Sequence, residues 1–208
     1  DAQGWLRDGL MDQLYPMMYF AGNQFYPFAI DWQEQSFGRM IVSGLGIFML
    51  SPRERNWPLE EIGRQLNVTR DLGIGHCSFR TKFLLDNTKG VYDFIQLFDS
   101  HPALIPPMTW AQSIVPDAPH FFQVKRTRQG VNLTWSGAED RSDGPYLLYN
   151  IYASDQWPVD ISNPKHLVAT RYLWTHASFK EGRHHSKRYY AVTALDRYGN
   201  ESNPVQEQ

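Results

Sequence analysis

The chain has 208 residues, of which 42% are hydrophobic, so it holds enough apolar material for one large domain or two small ones. Its formal net charge is −2, with 20 basic and 22 acidic residues, which argues against a strongly basic nucleic-acid-binding surface. No apolar run of about 18 residues occurs, which argues against a membrane-spanning helix. We therefore predict no nucleic-acid partner and no membrane span.

Three apolar runs in the first half of the chain predict β-strands, at residues 14–20, 41–48 and 74–79. The first run is continuous rather than alternating, which is typical of a strand buried on both faces of a parallel sheet. Pro16 argues against a central position for that strand, since proline cannot donate to the hydrogen-bond ladder. The polar and aromatic stretch 23–35 is predicted to be partly helical.

Two helical patterns separate and follow these strands. Pro58 and the two glutamates after it favour a helix start, and Gly73 favours its end. Residues 86–88 offer an N-cap to a second helix. The apolar positions are Leu59, Ile62 and Leu66 in the first helix and Val91, Phe94, Ile95 and Phe98 in the second. Strand, helix, strand, helix at this spacing predicts a parallel sheet of about three strands, too few for a closed barrel of eight.

The pattern changes after a proline-rich stretch at residues 102–119, which we interpret as a linker or boundary. Residues 131–135, 147–152 and 189–194 alternate apolar and polar side chains, and turn-forming residues lie between them. Several short strands with frequent turns predict an antiparallel β-sandwich.

The last ninety or so residues resemble a fibronectin type III domain. Pro119 lies at the entry, Trp135 on the second strand, and the run 149–152 on the third. The late strand 189–196 leads into the Gly-Asn-Glu-Ser sequence at 199–202. The resemblance implies an all-β fibronectin-III-like sandwich over residues 116–208.

The first 115 residues resemble the end of the barrel in the bacterial glycoside-hydrolase-like family 10. Met17 and Phe20 depart from the glutamine and tryptophan of that family's pattern. The matching positions are Trp5, Gly9, Asp12, Pro16 and Tyr19, then 41–48, then Trp57, Glu60, Glu61, Ile62 and Gln65, then 73–79, and finally Ala103, Leu104, Pro106 and Trp110. The resemblance implies that residues 1–115 are an α/β segment, the last three or so strands of a (β/α)8 barrel.

This resemblance implies the carboxyl-terminal part of an exported bacterial glycoside-hydrolase-like protein, periplasmic, surface-located or lipoprotein-anchored. The parent would act on a polysaccharide or on the glycan of peptidoglycan, and the sandwich would be an accessory module. Its catalytic acids would lie mostly on earlier strands, so this chain alone would be inactive. Its partners would be the glycan and either the missing barrel half or a second copy. The alternative is a non-catalytic glycan-binding or surface-structural protein.

No catalytic residue can be assigned from the sequence. Barrel active sites lie at the carboxyl ends of strands, and glycoside hydrolysis normally uses two carboxyl groups there. Glu54 follows the second strand but lies between two arginines, which is typical of a solvated loop. Asp86 follows the third strand and is better explained as a helix cap.

Sugar-binding residues are easier to predict, because aromatic faces and planar donors at strand ends suit pyranose rings. The strongest candidates are Tyr19 and Arg80, since each closes or follows a predicted strand. Core packing is the competing interpretation for each aromatic residue. The further candidates are Phe20, Asn23, Arg53, Trp57 and Trp110.

No metal site or cofactor is predicted. Cys77 is the one cysteine, lies in an apolar run and is expected to pack as a small hydrophobe. His76 is expected to be a buried strand histidine. The adjacent His184 and His185 would face opposite ways on a strand and are better explained by a solvated basic turn.

Overall fold

The computed structural model describes residues 1–142, 144–180 and 188–207, and the chain forms two compact units. The α/β unit comprises Asp1–Ser100, and the sandwich unit comprises His101–Gln208. The predicted domain boundary after residue 115 lies inside the sandwich unit. The predicted basic turn at residues 184–185 lies outside the described residues.

The α/β unit is built from short strands and helices that alternate along the chain. Its strands are β1 (Gln13–Leu14), β2 (Met40–Leu45) and β3 (Gly75–Ser78). Its helices are α1 (Ala2–Arg7), α2 (Phe25–Glu34), α3 (Leu59–Asp71), α4 (Thr81–Leu85) and α5 (Val91–Phe98). Short 3₁₀ turns lie at Gly22–Gln24, Ile47–Leu50 and Thr88–Gly90.

The three strands form one parallel sheet in the order β1-β2-β3, with β2 in the centre. Val42 pairs with Gly75 and Leu45 with Ser78, so the carboxyl ends of β2 and β3 are level. The predicted three-stranded parallel sheet is confirmed. Its interpretation as part of a barrel stays a prediction.

The first predicted strand is shorter and more exposed than its apolar sequence indicates. Regular pairing stops at Leu14, and one further parallel bridge joins Met17 to Gly44. Tyr15 is 47% exposed and Met17 is 49% exposed, although burial on both faces was expected. The physical reason is position, because β1 is an edge strand and nothing in the α/β unit covers these side chains.

Helix α3 follows its sequence signals closely. Pro58 is the N-cap, Glu60 and Glu61 lie in the first turn, and Gly73 just beyond the end has a φ of 68°. Ile62 and Leu66 are fully buried. This helix therefore presents one apolar face to the core and begins with the charge that its dipole favours.

The cap of α5 corrects one expectation. The Asn87 side chain, not that of Asp86, accepts hydrogen bonds from the backbone N–H groups of Tyr92 and Asp93, at 2.9 and 3.4 Å. Asp86 instead ends α4 and forms an ion pair with Lys82 one helical turn earlier. The sequence patterns did not indicate α1 or α4, which are too short to show a clear apolar period.

One hydrophobic core fills the α/β unit between the sheet and helices α2, α3 and α5. Its fully or nearly fully buried members come from the strand ends and from one face of each helix. They are Met18, Phe25, Ala29, Leu45, Ile47, Leu50, Ile62, Leu66, Phe83 and Val91.

The sandwich unit contains seven antiparallel strands among its described residues. They are β4 (His120–Thr127), β5 (Gly130–Ser136), β6 (Leu148–Ser154), β7 (Leu167–Tyr172), β8 (His176–Phe179), β9 (Tyr189–Leu195) and β10 (Val205–Gln206). A 3₁₀ turn lies at Pro164–His166. The strands form a three-stranded sheet in the order β4-β5-β8 and a four-stranded sheet in the order β10-β9-β6-β7.

The two sheets enclose a core, which confirms the predicted β-sandwich. Val131 and Leu133 of β5 and Ile151 of β6 are fully buried in that core. The Trp135 and Tyr149 rings meet edge to face with their centroids 5.4 Å apart. This division into three and four strands fits the fibronectin-III-like sandwich that the sequence predicts.

The four-stranded sheet is buried on its outer face as well. Tyr152, Val159, Leu167 and Ala191 form a second cluster there, and Leu104 of the proline-rich stretch packs against it. Every residue of β6 after Leu148 is therefore buried, although its sequence alternates. The reason is tertiary, since loops and the proline-rich stretch cover a face that an isolated sandwich would expose to water.

The proline-rich stretch is hydrogen-bonded to the turn between β9 and β10. The Met108 N–H donates to the Tyr198 carbonyl oxygen at 2.8 Å. The Asn200 side chain donates to the Gln112 carbonyl oxygen at 2.9 Å. This stretch is thus attached to the sandwich rather than free, which differs from a simple linker.

Candidate functional site

The carboxyl ends of the parallel strands carry an aromatic residue each. Tyr19 follows the β1 segment, Phe48 follows β2, and Phe79 follows β3. Backbone hydrogen bonds hold these ends together: the Phe79 N–H donates to the Leu45 carbonyl oxygen at 2.9 Å, and the Phe48 N–H donates to the Phe79 carbonyl oxygen at 3.2 Å. The sheet therefore places the three rings at one edge.

The three rings contact one another and form what we term the aromatic triad, Tyr19, Phe48 and Phe79. Tyr19 meets Phe48 edge to face with centroids 5.2 Å apart and stacks on Phe79 at 5.8 Å. Phe48 and Phe79 meet edge to face, also at 5.8 Å. Phe79 is 45% exposed, while Tyr19 and Phe48 are half-buried. The triad thus offers an aromatic surface to solvent on a rigid base.

Two glycines of the second apolar run make room for the triad. A Cβ at Gly46 would lie 3.0 Å from the Tyr19 ring. A Cβ at Gly44 would lie 2.6 Å from the Met17 sulfur and 3.2 Å from the Met17 Cα. Close approach of the β1 segment to β2 is therefore the physical reason for glycine at both positions.

Tyr19 is held as a neutral phenol. Its hydroxyl donates to the Met17 sulfur at 3.0 Å. Burial raises the pKa of Tyr19, and the nearby Cys77 adds to the rise. The ring therefore offers a face and a weak polar group, and it does not suit acid–base chemistry at neutral pH.

Arg80 lies next to the triad, directly after Phe79. It precedes α4 in an extended conformation, and its guanidinium lies 5.6 Å from the centre of the Phe83 ring. Arg80 is exposed, the Phe79–Arg80 peptide bond is cis, and Arg80 has no ion-pair partner among the described residues. Its planar donors are therefore available to a ligand at the triad.

A polar cluster on α3 holds the segment that follows Tyr19. Glu61 accepts from the Gly22 N–H at 3.1 Å and from the Gln65 side chain at 2.7 Å. Arg64 donates to Glu61 and to the Gly22 carbonyl oxygen, both at 2.7 Å, and Gln65 donates to the Phe20 carbonyl oxygen at 2.8 Å. We call Glu61, Arg64 and Gln65 the polar clamp.

The clamp carboxylate is stabilised in its charged form. Burial would by itself raise the pKa of Glu61, but hydrogen bonds from Arg64, Gln65 and the Gly22 N–H lower it overall, together with the charge of Arg64. A partly buried carboxylate held by several hydrogen bonds has a fixed geometry. The clamp therefore positions the 3₁₀ turn that carries Asn23.

The remaining predicted sugar-binding residues of the α/β unit differ in placement. Asn23 is exposed in the clamped 3₁₀ turn, and Arg53 is exposed in the loop after β2. Phe20 stacks on Phe28 at 4.7 Å and packs against the core. Trp57 also packs against the core, and Lys89 donates to its carbonyl oxygen at 2.6 Å. Packing therefore explains Phe20 and Trp57 without a ligand.

Trp110 lies in the sandwich unit, in a turn of the proline-rich stretch, and is half-buried. The structure therefore groups Tyr19 and Arg80 with Phe48 and Phe79 at one strand edge and places Trp110 in the other unit. Phe48 and Phe79 were not among the predicted site residues. The signal was present, since each ends a predicted strand.

The two acids that follow the strands are both exposed. Glu54 is exposed in the loop after β2, and Asp86 is paired with Lys82. The expected burial of His76 is wrong, because its ring is half-buried and contacts the Asp99 carboxylate at 3.0 Å. Cys77 is also half-buried, and burial raises the pKa of its thiol, which disfavours the nucleophilic thiolate.

The described residues bear on two possible kinds of partner, a metal ion and a membrane. No group of three or more His, Cys, Asp or Glu side chains within residues 1–142, 144–180 and 188–207 is arranged to hold a metal ion. None of the helices within those ranges combines the length and apolar character needed to cross a membrane.

Comparison with known proteins gives one distant sequence relative. No protein-family model matches the chain. The glycosyl hydrolase YngK of Bacillus subtilis (strain 168) is 26% identical over 218 residues, an alignment that covers 97% of this chain and 42% of that protein. The chain thus spans less than half the length of this relative and is distantly similar to a glycosyl hydrolase.

Among solved structures, the chain is similar to an Fn3-like protein from Clostridium thermocellum. The match covers 46% of this chain and 94% of that one, with 21% sequence identity and a TM-score of 0.34. The assignment of a β-sandwich rests instead on the strand order and core of the sandwich unit itself.

Proposed function

We propose that the chain is the carboxyl-terminal part of a glycoside-hydrolase-like protein that acts on a polysaccharide or on the glycan of peptidoglycan. The observation that carries this proposal is the aromatic triad with Arg80 at the carboxyl edge of a parallel sheet. The distant similarity to YngK along nearly the whole chain supports it.

The position of the triad supports sugar binding for a physical reason. Ligands of parallel α/β sheets bind at the carboxyl ends of the strands, in barrels and in open sheets alike. The C–H face of a pyranose ring packs on an aromatic ring, and a guanidinium donates hydrogen bonds to sugar hydroxyl groups. Tyr19 and Phe79 supply the faces, and Arg80 and Asn23 supply the polar contacts in this proposal.

The catalytic carboxyl groups belong to the rest of the barrel in this proposal. Glu54 and Asp86 are exposed and Asp86 is paired with Lys82, so we assign neither as one of the two carboxyl groups that glycoside hydrolysis normally uses. The α/β unit contributes part of the binding edge, the sandwich is an accessory module, and the chain alone is inactive. The parent is an exported bacterial protein, and the boundary between its two family segments lies after residue 115, with residues 101–115 as a connecting stretch that packs on the sandwich.

A second candidate is a non-catalytic glycan-binding or surface-structural protein. The observation that favours it is that both acids at the strand ends of the α/β unit, Glu54 and Asp86, are exposed, and that Asp86 is already paired with Lys82. The enzyme and the non-catalytic protein differ in whether the glycan is cleaved or only bound. A longer natural form of the protein that releases reducing ends from the glycan supports the enzyme, and binding without release supports the second candidate.

The triad itself is tested by glycan binding. We expect Tyr19→Ala and Phe79→Ala each to weaken binding of soluble cellohexaose or chitohexaose about tenfold, because each removes one stacking face. Isothermal titration calorimetry of the chain and its variants measures this change. Tyr92→Ala is the matched control, since Tyr92 on α5 is 45% exposed, as is Phe79.

Binding that is equal in all three variants would refute the triad as the site. Melting curves accompany each titration, because a lower melting temperature would assign the loss of binding to unfolding. No binding of either oligosaccharide by the unmodified chain would also count against the proposal.

A further inference from the structure

A small cavity of about 240 Å³ opens on the sandwich unit. Its lining residues come from the segment before β6, from β6 itself, from the end of β7 and from the turn after β9. They are Pro145, Tyr146, Leu148, Arg171 and Arg197. Two guanidinium groups and one exposed aromatic ring in one concave site point to an anionic ligand with an apolar face.

A β-bulge directs Arg171 toward this cavity. The pairing of β6 with β7 shifts register between Tyr149 and Ile151, and Arg171 lies opposite that shift with a φ of 55°. The left-handed region is costly for a residue with a Cβ, and bulges redirect side chains at functional sites. The backbone N–H of Arg171 donates to the Asn150 side-chain oxygen at 3.3 Å, which holds the bulge.

Asn150 is itself fixed by buried hydrogen bonds. Its side-chain oxygen also accepts from the Thr170 hydroxyl at 2.8 Å, and its amide donates to the Glu201 carboxylate at 2.9 Å. The same carboxylate oxygen accepts from Tyr152 at 2.6 Å and from Thr193 at 2.5 Å. This network explains why the strained conformation of Arg171 persists, since the surroundings over-determine it.

Arg197 is also positioned before any ligand arrives. One of its terminal nitrogens donates to the Ser142 carbonyl oxygen at 3.1 Å, and its guanidinium lies 4.8 Å from the centre of the Tyr198 ring. Both arginines are exposed, and neither forms an ion pair with a residue that the structure describes. Their remaining donors are therefore free for a carboxylate or a similar planar anion.

The charge around the cavity favours a monoanion. Burial by itself would raise the pKa of Asp140, but hydrogen bonds from Ser142 and from the Gly144 N–H, together with the charge of Arg197, lower it overall. Among the residues that line the cavity, Arg171 and Arg197 carry charge, and both are positive. Asp140 near Arg197 offsets part of this positive charge, so a monoanionic carboxylate suits the cavity better than a dianion.

We propose that this cavity binds the carboxylate of an acidic sugar, such as a uronic acid residue. Arg171 and Arg197 hydrogen-bond the carboxylate, and the sugar ring packs on Tyr146, which is 59% exposed. The cavity volume accommodates one sugar residue and not an extended oligosaccharide. This role belongs to the sandwich unit alone and does not rest on the function proposed for the α/β unit.

The test is a titration of the ¹⁵N-labelled chain with sodium D-glucuronate, followed by two-dimensional NMR at constant ionic strength. We expect saturable shifts of the Tyr146 and Leu148 amides, with half-saturation at about 1–10 mM, the range of a small single-site contact. Arg171→Gln and Arg197→Gln should each weaken binding about tenfold. Arg128→Gln, an equal loss of charge in the turn between β4 and β5, should leave binding unchanged.

Three outcomes would overturn the proposal. The first is an absence of saturable shifts with glucuronate. The second is an equal response to D-glucose, which shares the ring and lacks the carboxylate. The third is an equal response to sodium acetate or sulfate, which would show a general anion surface. The amide spectrum of each variant also reports whether the sandwich remains folded.

Discussion

In the sandwich unit, two antiparallel sheets cover each other, and Val131, Leu133 and Ile151 between them are fully buried. In the α/β unit, one parallel sheet of three strands is free at both edges, β1 and β3. Twelve large apolar side chains of that unit remain exposed, against nine in the described part of the sandwich unit. They are Trp5, Leu10, Met11, Tyr15, Met17, Tyr26, Phe28, Phe37, Phe79, Leu85, Tyr92 and Leu97.

This difference teaches what each fold needs from its surroundings. An antiparallel sandwich closes its core with its own two sheets. Parallel sheets are normally covered on both faces and continue until their edges are paired or closed. The exposed apolar surface of the α/β unit agrees with the proposal that this sheet pairs with further strands of a longer protein or with a second copy.

Truncating a core side chain should have the largest effect on the free energy of unfolding. It also tests whether the two units are stabilised independently. Leu133→Ala and Leu66→Ala each remove a fully buried side chain, one in each unit, and should cost about 2–5 kcal/mol. Native-state hydrogen exchange measures the loss amide by amide. If each unit depends on its own core, Leu133→Ala lowers protection in the sandwich and spares α3. Equal losses in both units would contradict this independence.

Removing the Glu61 charge from the polar clamp should lower the stability of the α/β unit by less, and the loss should depend on pH. The folded pKa of Glu61 lies below its unfolded value of about 4.3. Its contribution to stability is therefore fully present above about pH 4.3 and is lost as pH falls through the folded pKa. Glu61→Gln should cost the α/β unit about 1–3 kcal/mol at pH 7.

Urea unfolding of the chain and the Glu61→Gln variant, measured between pH 3 and pH 7, tests the clamp. The difference between them should shrink as the pH falls, because protonation of Glu61 mimics the substitution. Glu60→Gln is the matched control, since Glu60 lies in the same first turn of α3 and is exposed. A difference that is constant with pH would argue against a clamp that depends on the carboxylate charge.

Substitutions beside β1 should have a smaller effect again, on self-association of the chain. We expect the α/β unit to be the part that associates. Tyr15 and Met17 flank the edge strand β1 and are about half exposed. Replacing both with lysine should raise the dissociation constant of the self-associated form about tenfold, because charge on an edge strand opposes pairing. Sedimentation velocity over a range of concentrations measures this change.

The matched control for association is the pair Leu173→Lys and Trp174→Lys, which adds the same charge to exposed positions of the sandwich. A chain that remains monomeric at high concentration, with little binding of a hydrophobic dye, would contradict the open-sheet interpretation. An equal effect of both pairs would assign it to net charge.

Tyr19→Phe should have the smallest effect and distinguishes stacking from hydrogen bonding. The hydroxyl of Tyr19 donates to the Met17 sulfur, and sulfur is a weak acceptor. We expect a change in stability below about 0.5 kcal/mol and nearly unchanged affinity for an oligosaccharide. Titration calorimetry beside a melting curve measures both. A large loss of affinity would assign a direct sugar contact to the hydroxyl.

Much of the fold could be predicted because its signals are local. The glutamates and apolar positions of α3 and the alternating residues of β5 act through neighbours in sequence. The exposure of Tyr15 and Met17 could not be predicted, because it depends on which strands lie beside β1. The burial of both faces of β6 likewise depends on Leu104 and on loops distant in sequence.

The candidate site divides in the same way. Tyr19 and Arg80 could be predicted as strand-end residues, but their grouping with Phe48 and Phe79 depends on sheet register. The displacement of Trp110 to the other unit also followed from tertiary contacts.

The sequence by itself determined a parallel α/β segment and an antiparallel sandwich, because hydrophobic periodicity and capping residues act over a few neighbouring positions. Only the tertiary structure decided which side chains meet: the aromatic triad, the polar clamp and the Arg171 bulge. Those contacts join residues that are far apart in sequence, and their geometry arises from strand pairing and packing that no local pattern encodes.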